Sequence, residues 1–430
     1  MSNFKKATNA LHAGHDTNLT EGTRAVPIYQ STSYVFNDTD HAADLFGLKE
    51  FGFIYTRLNN PTNDILEKRL AAVEGGIGSV VFASGTAAIA TTFLTLFKSG
   101  DHIVSSSSLY GGTFNLLNVT LRRYGIETSF VNADIVEQFE HSIQENTKAI
   151  YVESLGNPKL DVLDLKAIAK IADKYGIPLI VDNTIATPSL LNPIEYGAHI
   201  VIHSLTKFIG GQGSSLGGVV IDSGTFDWSN GKFPEFTEPS KGYHGLKYYE
   251  ALGNLSFLAK LRIEGLRDLG GALSPYNAFQ LIQGLETLEV RIKQHSKNAL
   301  EIATFLESRP EVAWVNYPGL ESSKYNGLAK AYLSKGQSGI VTFGLKGGFE
   351  AAKAFTDATQ IFSLLANIGD SKSLIIHPAS TTHQQLNEEQ QRSTGVSQDL
   401  IRLSVGLEDT EDLIADIKTA LEKTVHLNTK

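Results

Sequence analysis

The chain has 430 residues, 37 Lys and Arg against 46 Asp and Glu, and a formal net charge of −9. It has no Cys and its single Met is Met1, which excludes disulfides, thiolate metal ligation and a cysteine nucleophile. Net acidity argues against a nucleic-acid or anionic-membrane surface. With 42% apolar and 19% charged residues, the composition is that of a globular protein long enough to bury a core without covalent staples. No apolar run approaches the ~20 residues of a membrane span. The opening MSNFKKATNALHAGHD also lacks the apolar stretch of a signal peptide. A cytoplasmic protein with neither membrane nor nucleic acid as partner is expected.

Residues 1–60 are rich in Asn, Thr and Tyr and read as an extended arm with short helical pieces. From about residue 79 short β-branched runs alternate with helical stretches. The runs are Ser79–Ala83, His102–Ser105, Ile126–Val131, Ala149–Glu153, Pro178–Asp182 and His199–His203; Thr113–Tyr124 and Leu165–Tyr175 lie between them. Leu165, Ile168, Ile171 and Ala172 share one helical face, and Gly176 and Pro178 end that helix. Such alternation predicts right-handed crossovers and a mostly parallel sheet covered on both faces, an α/β fold. After Gly217–Asp222, the stretch 224–260 is rich in Gly, Pro and aromatics and reads as a long functional loop. Gly284–Ser308 reads as one long helix leading into a smaller α+β domain with strands Ile340–Phe343 and Leu374–His377, closed by a helix over Asp409–Val425. The expected division is an arm (1–60), an α/β domain (61–262) and a C-terminal α+β domain (263–430).

In an open parallel sheet, ligands bind beyond the carboxyl ends of the strands. Ser84-Gly85-Thr86 follows the first run and opens a helix; Ser84 is either a plain N-cap or part of a backbone cradle for an anion. Tyr110-Gly111-Gly112 follows the second; the tyrosine is either core packing or a stacker on a flat ring. Glu153 and Asn157-Pro158 follow the fourth. Asp182 either caps a turn or keeps a ring nitrogen protonated. Lys207, in His203-Ser204-Leu205-Thr206-Lys207 before Gly210-Gly211, is either a solvated lysine or a partly desolvated amine able to form a Schiff base. Phosphate donors, a ring-nitrogen carboxylate, an aromatic stacker and a reactive lysine are together what pyridoxal 5′-phosphate (PLP) requires. A dinucleotide site fits less well, because Gly211-Gln212-Gly213 with Leu216 lacks the third glycine and lies deep in the chain. No metal is expected: there is no H-E-x-x-H, and His377 and His383 have no ligand spacing.

On these motifs the chain resembles the Cys/Met-metabolism family of PLP enzymes, of aspartate aminotransferase-like fold type I. The resemblance runs from Pro27-Ile28-Tyr29-Gln30-Ser31-Thr32-Ser33-Tyr34 to Arg402-Leu403-Ser404-Val405-Gly406-Leu407-Glu408. It implies a seven-stranded, mostly parallel sheet domain with a smaller C-terminal α+β domain and an N-terminal arm. It further implies Lys207 as the cofactor lysine and Asp182 as the carboxylate on the pyridine nitrogen. Ser84, Gly85, Thr86, Ser204 and Thr206 become phosphate contacts. Tyr110 becomes the stacked tyrosine near the leaving group. Tyr55 and Arg57, in YTRLNNPT, become contacts to the phosphate of a neighbouring subunit, and Asn157 and Arg402 contacts to the substrate carboxylate and the cofactor O3′. The implied assembly is a homotetramer built from active dimers. The LHAG…RAVPIYQSTSYVF opening, the long 224–260 stretch and Asn367-Ile368-Gly369-Asp370-Ser371-Lys372-Ser373-Leu374, where relatives carry S-L-G-G-x-E-S-L, resemble one branch. That branch converts O-acetyl-L-homoserine and sulfide to L-homocysteine and acetate, in methionine biosynthesis, with sulfide or a thiol as the partner of O-acetyl-L-homoserine. Cystathionine γ-synthase and methionine γ-lyase activities are the alternatives within the family.

Overall fold

The structure, a computed structural model, describes residues 4–382, 384, 391 and 395–427; His383 lies outside these. The larger sheet contains β1 (Gly78–Phe82), β2 (His102–Ser106), β3 (Glu127–Val131), β4 (Thr147–Glu153), β5 (Leu179–Asp182), β6 (Ile200–Ser204) and β7 (Gly218–Asp222). These are the seven strands of the expected α/β sheet. The chain divides into two compact units.

The first unit comprises Met1–Phe97, His199–Thr206 and Ser214–Glu286. Its strands run in the order β1-β7-β6, with β7 antiparallel to both neighbours. A 14-residue helix, Pro61–Glu74, starts where Asn60 accepts the Thr62 N–H and Pro61 supplies a preset φ. It packs against β1 and leaves Glu74 wholly buried, 2.8 Å from His203 Nε2 on β6. The stretch 224–260 is less open than its composition predicts. Phe226, Trp228, Phe233, Phe236 and Phe257 are buried, and Trp228 stacks on Phe257 with ring centroids 5.1 Å apart. Its aromatics form a core of their own because each buries a large apolar area.

The second unit comprises Lys98–Ala198, Lys207–Gly213 and Thr287–Lys430. Strands β2, β3, β4 and β5 are parallel, in the order β5-β4-β2-β3. The helix Leu165–Lys174 buries Leu165, Ile168, Ile171 and Ala172, the face its periodicity predicts. Thr113–Tyr124 is not a uniform α-helix. It runs as an α-turn to Asn115, a π-turn over Leu116–Thr120 and a 3-10 turn over Leu121–Tyr124. Asn115, Asn118, Val119 and Thr120 are weak helix formers, and the turn widens where they cluster.

The long helix expected over Gly284–Ser308 is two helices, Pro275–Glu286 and Leu288–Glu307. Thr287 breaks them with φ −108° and ψ 3°, and its Oγ1 accepts from Arg291 Nε at 3.1 Å, serving the second helix. A five-stranded sheet follows, from β8 (Val312–Asn316), β9 (Ile340–Leu345), β10 (Ser363–Leu364), β11 (Leu374–Ile376) and β12 (Leu400–Ser404), in the order β10-β11-β12-β9-β8. Strand alternation decides what each face carries. Val341, Phe343, Leu345, Ile401 and Leu403 enter the hydrophobic core with Phe355, Leu413 and Ile417. Arg402 and its cross-strand neighbour Thr342 therefore point to the other face. Among the described residues no helix is long and apolar enough to cross a membrane.

Candidate active site

In the first unit, the carboxyl end of β1 leads into the helix Gly85–Leu96. Ser84 Oγ accepts the Ala87 N–H at 3.1 Å, so the N-cap reading holds. The same geometry leaves the first N–H groups, those of Gly85 and Thr86, directed at an external acceptor. Gly85 is obligatory here: a Cβ would sit 2.6 Å from Ser204 Cβ. Gly85 and Ser204 thus lie directly against each other at the ends of β1 and β6. Thr206, by contrast, has its hydroxyl on the Gly217 backbone, accepting from its N–H at 3.1 Å and donating to its oxygen at 3.3 Å. Tyr55 and Arg57 are exposed. The Arg57 guanidinium lies 5.4 Å over the Tyr55 ring and donates to the Arg267 carbonyl.

In the second unit, Lys207 Nζ donates to Asn367 Oδ1 at 2.6 Å. Burial, then the cation of Arg402, lowers the Lys207 amine to about 8. Arg402 is 8% exposed, donates through Nη1 to Asn157 Oδ1 at 3.0 Å and through Nη2 to the Asn367 carbonyl at 3.3 Å, and burial lowers it to about 10. Asp182 Oδ1 accepts from the Thr184 N–H at 2.9 Å and from the Thr184 hydroxyl, which is the turn cap; its Oδ2 faces the Tyr151 hydroxyl at 3.5 Å. Tyr110 is 52% exposed, so core packing does not account for it. Its ring lies over Gly112, where a Cβ would come within 2.5 Å of Cε1. Lys207, Asn157, Arg402 and Asn367 form one connected group, and Tyr110 and Asp182 are joined to it through residues of β4.

Three participants have no role in the sequence reading. Asn367 takes the lysine amine; the departure from the S-L-G-G pattern was the signal for it. Arg291 donates to the Phe208 and Ile209 carbonyls at 2.7 and 3.0 Å, fixing the backbone just after Lys207. Gly211, at φ +69°, leaves the space this guanidinium fills. Glu153 is 6% exposed, and its Oε1 accepts the Tyr110 N–H at 2.7 Å. Among the described residues no cluster of His, Asp and Glu is arranged to hold a metal ion.

The profile of Cys/Met-metabolism PLP-dependent enzymes matches residues 7–422. The chain belongs to this family. It is 54% identical over 429 residues to the O-acetyl-L-homoserine sulfhydrylase of Leptospira meyeri, covering 98% of this chain and 97% of the relative. It is 51% identical over 418 residues to the homocysteine synthase of Schizosaccharomyces pombe, with 96% and 97% covered. A solved structure from Campylobacter jejuni, described as an O-acetylhomoserine (thiol)-lyase, superposes with a TM-score of 0.95 at 46% identity, covering 97% of this chain and all of that one. That structure carries N′-pyridoxyl-lysine-5′-monophosphate.

The residues present fit PLP, the family's cofactor. The helix start at Gly85, packed directly against Ser204, brings N–H groups and a hydroxyl together, the donor set of a phosphate site. A partly buried amine brought down to about 8 suits an aldehyde. A carboxylate held in place by Thr184 suits a protonated ring nitrogen.

Proposed function

We propose that the chain is an O-acetyl-L-homoserine sulfhydrylase, which replaces the acetoxy group at Cγ of O-acetyl-L-homoserine with sulfide to give L-homocysteine and acetate, in methionine biosynthesis. The observation that carries this reading is the partly buried Lys207 amine beside the Arg402 guanidinium, in a chain matching nearly end to end enzymes named for that reaction. Bound to Lys207, PLP would supply an electron sink that makes the substrate Cα–H acidic.

The proposed holders of its phosphate are Ser84, Gly85, Thr86, Ser204 and Thr206, with Tyr55 and Arg57 of a second copy. Thr206 would turn its single proton from Gly217 toward the anion. Asp182 would hold the positive charge of the ring nitrogen, Tyr110 would stack on the ring, and Asn157 would contact O3′. Arg402 and Asn157 receive the substrate α-carboxylate, which a planar guanidinium binds in bidentate fashion. That orients Cα toward Lys207, whose free amine takes the Cα proton and later returns it. Asn367 gives the amine a place to rest when it is not covalently engaged. Tyr110 assists proton movement where the Cγ–O bond breaks and the Cγ–S bond forms.

A cytoplasmic homotetramer of active dimers fits exposed Tyr55 and Arg57 on the 1–60 arm, followed by a cofactor domain (61–262) and a C-terminal domain (263–430). An acceptor panel tests the reaction. With O-acetyl-L-homoserine and sulfide, homocysteine and acetate are expected in equal amounts. Cystathionine formed from cysteine, without homocysteine from sulfide, would point to a γ-synthase instead. Release of 2-oxobutanoate and ammonia from methionine as the main activity would point to a γ-lyase.

A further inference from the structure

Glu153 ends β4 in register with Asp182 at the end of β5, so two carboxyl side chains stand side by side on one face of a parallel pair. They differ in what they do. Asp182 is occupied by Thr184 at its own turn. Glu153 reaches two other loops: its Oε1 accepts the Tyr110 N–H at 2.7 Å, and it also accepts the backbone N–H of Asn157. One buried carboxyl thereby ties together the loop after β2 and the loop after β4.

The groups facing it are acidic or neutral: Asp182, Asp161 beyond it, and the Tyr151 hydroxyl two residues earlier on the same face. Among the described residues, the charged groups that act on it most strongly are the carboxylates of Asp182 and Asp161. Burial, and secondarily the charge of Asp182, pushes the Glu153 carboxyl well above the ordinary carboxylate range. A carboxyl that keeps its proton still accepts hydrogen bonds through its carbonyl oxygen. It also adds no second negative charge beside the one meant for the ring nitrogen.

We propose that Glu153 is a positioning residue that serves as a hydrogen-bond acceptor rather than as a charge, setting Tyr110 and Asn157 at the height the cofactor ring requires. This rests on the reading of Tyr110, Asn157 and Asp182 as the ring's neighbours. Tyr110 has half its surface exposed and little packing of its own, so its backbone anchor decides where the ring lies.

The experiment compares full-length wild type, Glu153→Gln and Glu153→Ala after removal and re-addition of PLP. It reads the dissociation constant and the induced circular dichroism of the cofactor's visible band. Glu153→Gln, which keeps the acceptor and lacks the charge, is expected within about twofold of wild-type affinity with the same induced signal. Glu153→Ala is expected to bind at least about tenfold more weakly, which is about 1.4 kcal/mol, with a diminished induced signal. If far-UV circular dichroism shows Glu153→Ala unfolded, Glu153→Asp, one methylene short of the Tyr110 N–H, replaces it with the same expected loss. Glu153→Gln falling as far as Glu153→Ala would overturn the proposal, as would wild-type affinity and signal in a folded Glu153→Ala or, where it replaces that variant, in Glu153→Asp. A wild type that takes up no PLP would overturn the site reading and the proposal together; wild-type uptake with an indifferent Glu153→Ala overturns the proposal alone.

Discussion

At the scale of single residues, Lys207 shows how burial converts a common side chain into a reagent. An ordinary lysine is almost wholly protonated at neutral pH and unreactive toward an aldehyde. Here burial and the Arg402 cation bring it to about 8, so the neutral amine becomes available as pH rises through that value. The borohydride-reducible adduct of apo protein with PLP should therefore grow with pH around a midpoint near 8 and be lost in Lys207→Ala. Arg402→Gln removes the neighbouring cation and should move the midpoint upward. Asp182→Asn keeps the shape and removes the negative charge; kcat is expected to fall about 10²–10³-fold, the scale of losing one preorganised electrostatic partner. Steady-state kinetics under saturating PLP would check it. Lys207 and Asp182 were legible in the sequence because each ends or follows an apolar run in a motif. Glu153 and Arg291 were not, since their roles consist of reaching backbone groups 43 and 83 residues away.

At the scale of elements, the helix Gly85–Leu96 carries two demands at one end. Its cap needs a side-chain acceptor, which Ser84 supplies, and its approach to Ser204 needs a residue with no Cβ. The two can be separated. Ser84→Ala should lower apo-protein stability by about 1 kcal/mol, the usual worth of an N-cap, read by urea unfolding. Gly85→Ala drives a methyl into Ser204 and pushes the helix start away from the end of β6, and the PLP dissociation constant should rise at least about tenfold. Equal PLP affinity in Gly85→Ala and wild type would show that this helix start is not the phosphate site. Amphipathic period placed Leu165–Lys174 and its buried face from sequence, because a 3.6-residue repeat leaves only one way to turn. It overran at Gly284–Ser308, where apolar spacing continues through Thr287 while the Thr287 hydroxyl and carbonyl both serve Arg291. The 224–260 stretch misled in the other direction: composition rich in Gly and Pro suggests a loop, yet Trp228 and its four phenylalanine neighbours pack as a core.

At the scale of the whole molecule, an assembly in which Arg57 completes the site of another subunit has a clear signature. Lys207→Ala and Arg57→Ala proteins, each inactive or nearly so, should regain activity when unfolded and refolded together. Random pairing gives half mixed dimers, each with one intact site of two, so about a quarter of wild-type activity is expected. No recovery would place Arg57 in its own subunit's chemistry or outside the site. With no thiol between Met1 and Lys430, the wild type should also be indifferent to maleimides and iodoacetamide.

The sequence alone determined the strand–helix rhythm, the order in which candidate groups leave the strand ends, and the kinship those motifs carry. These depend on local period and on residue type, which are written along the chain. Tertiary structure decided which groups are chemically poised: that Lys207 is partly buried beside Arg402 with Asn367 taking its amine, that Tyr110 is exposed rather than packed, and that Glu153 spans two loops. Desolvation and hydrogen bonding between distant residues exist only once the chain has folded, and they distinguish a lysine in this protein from the lysine at position 207.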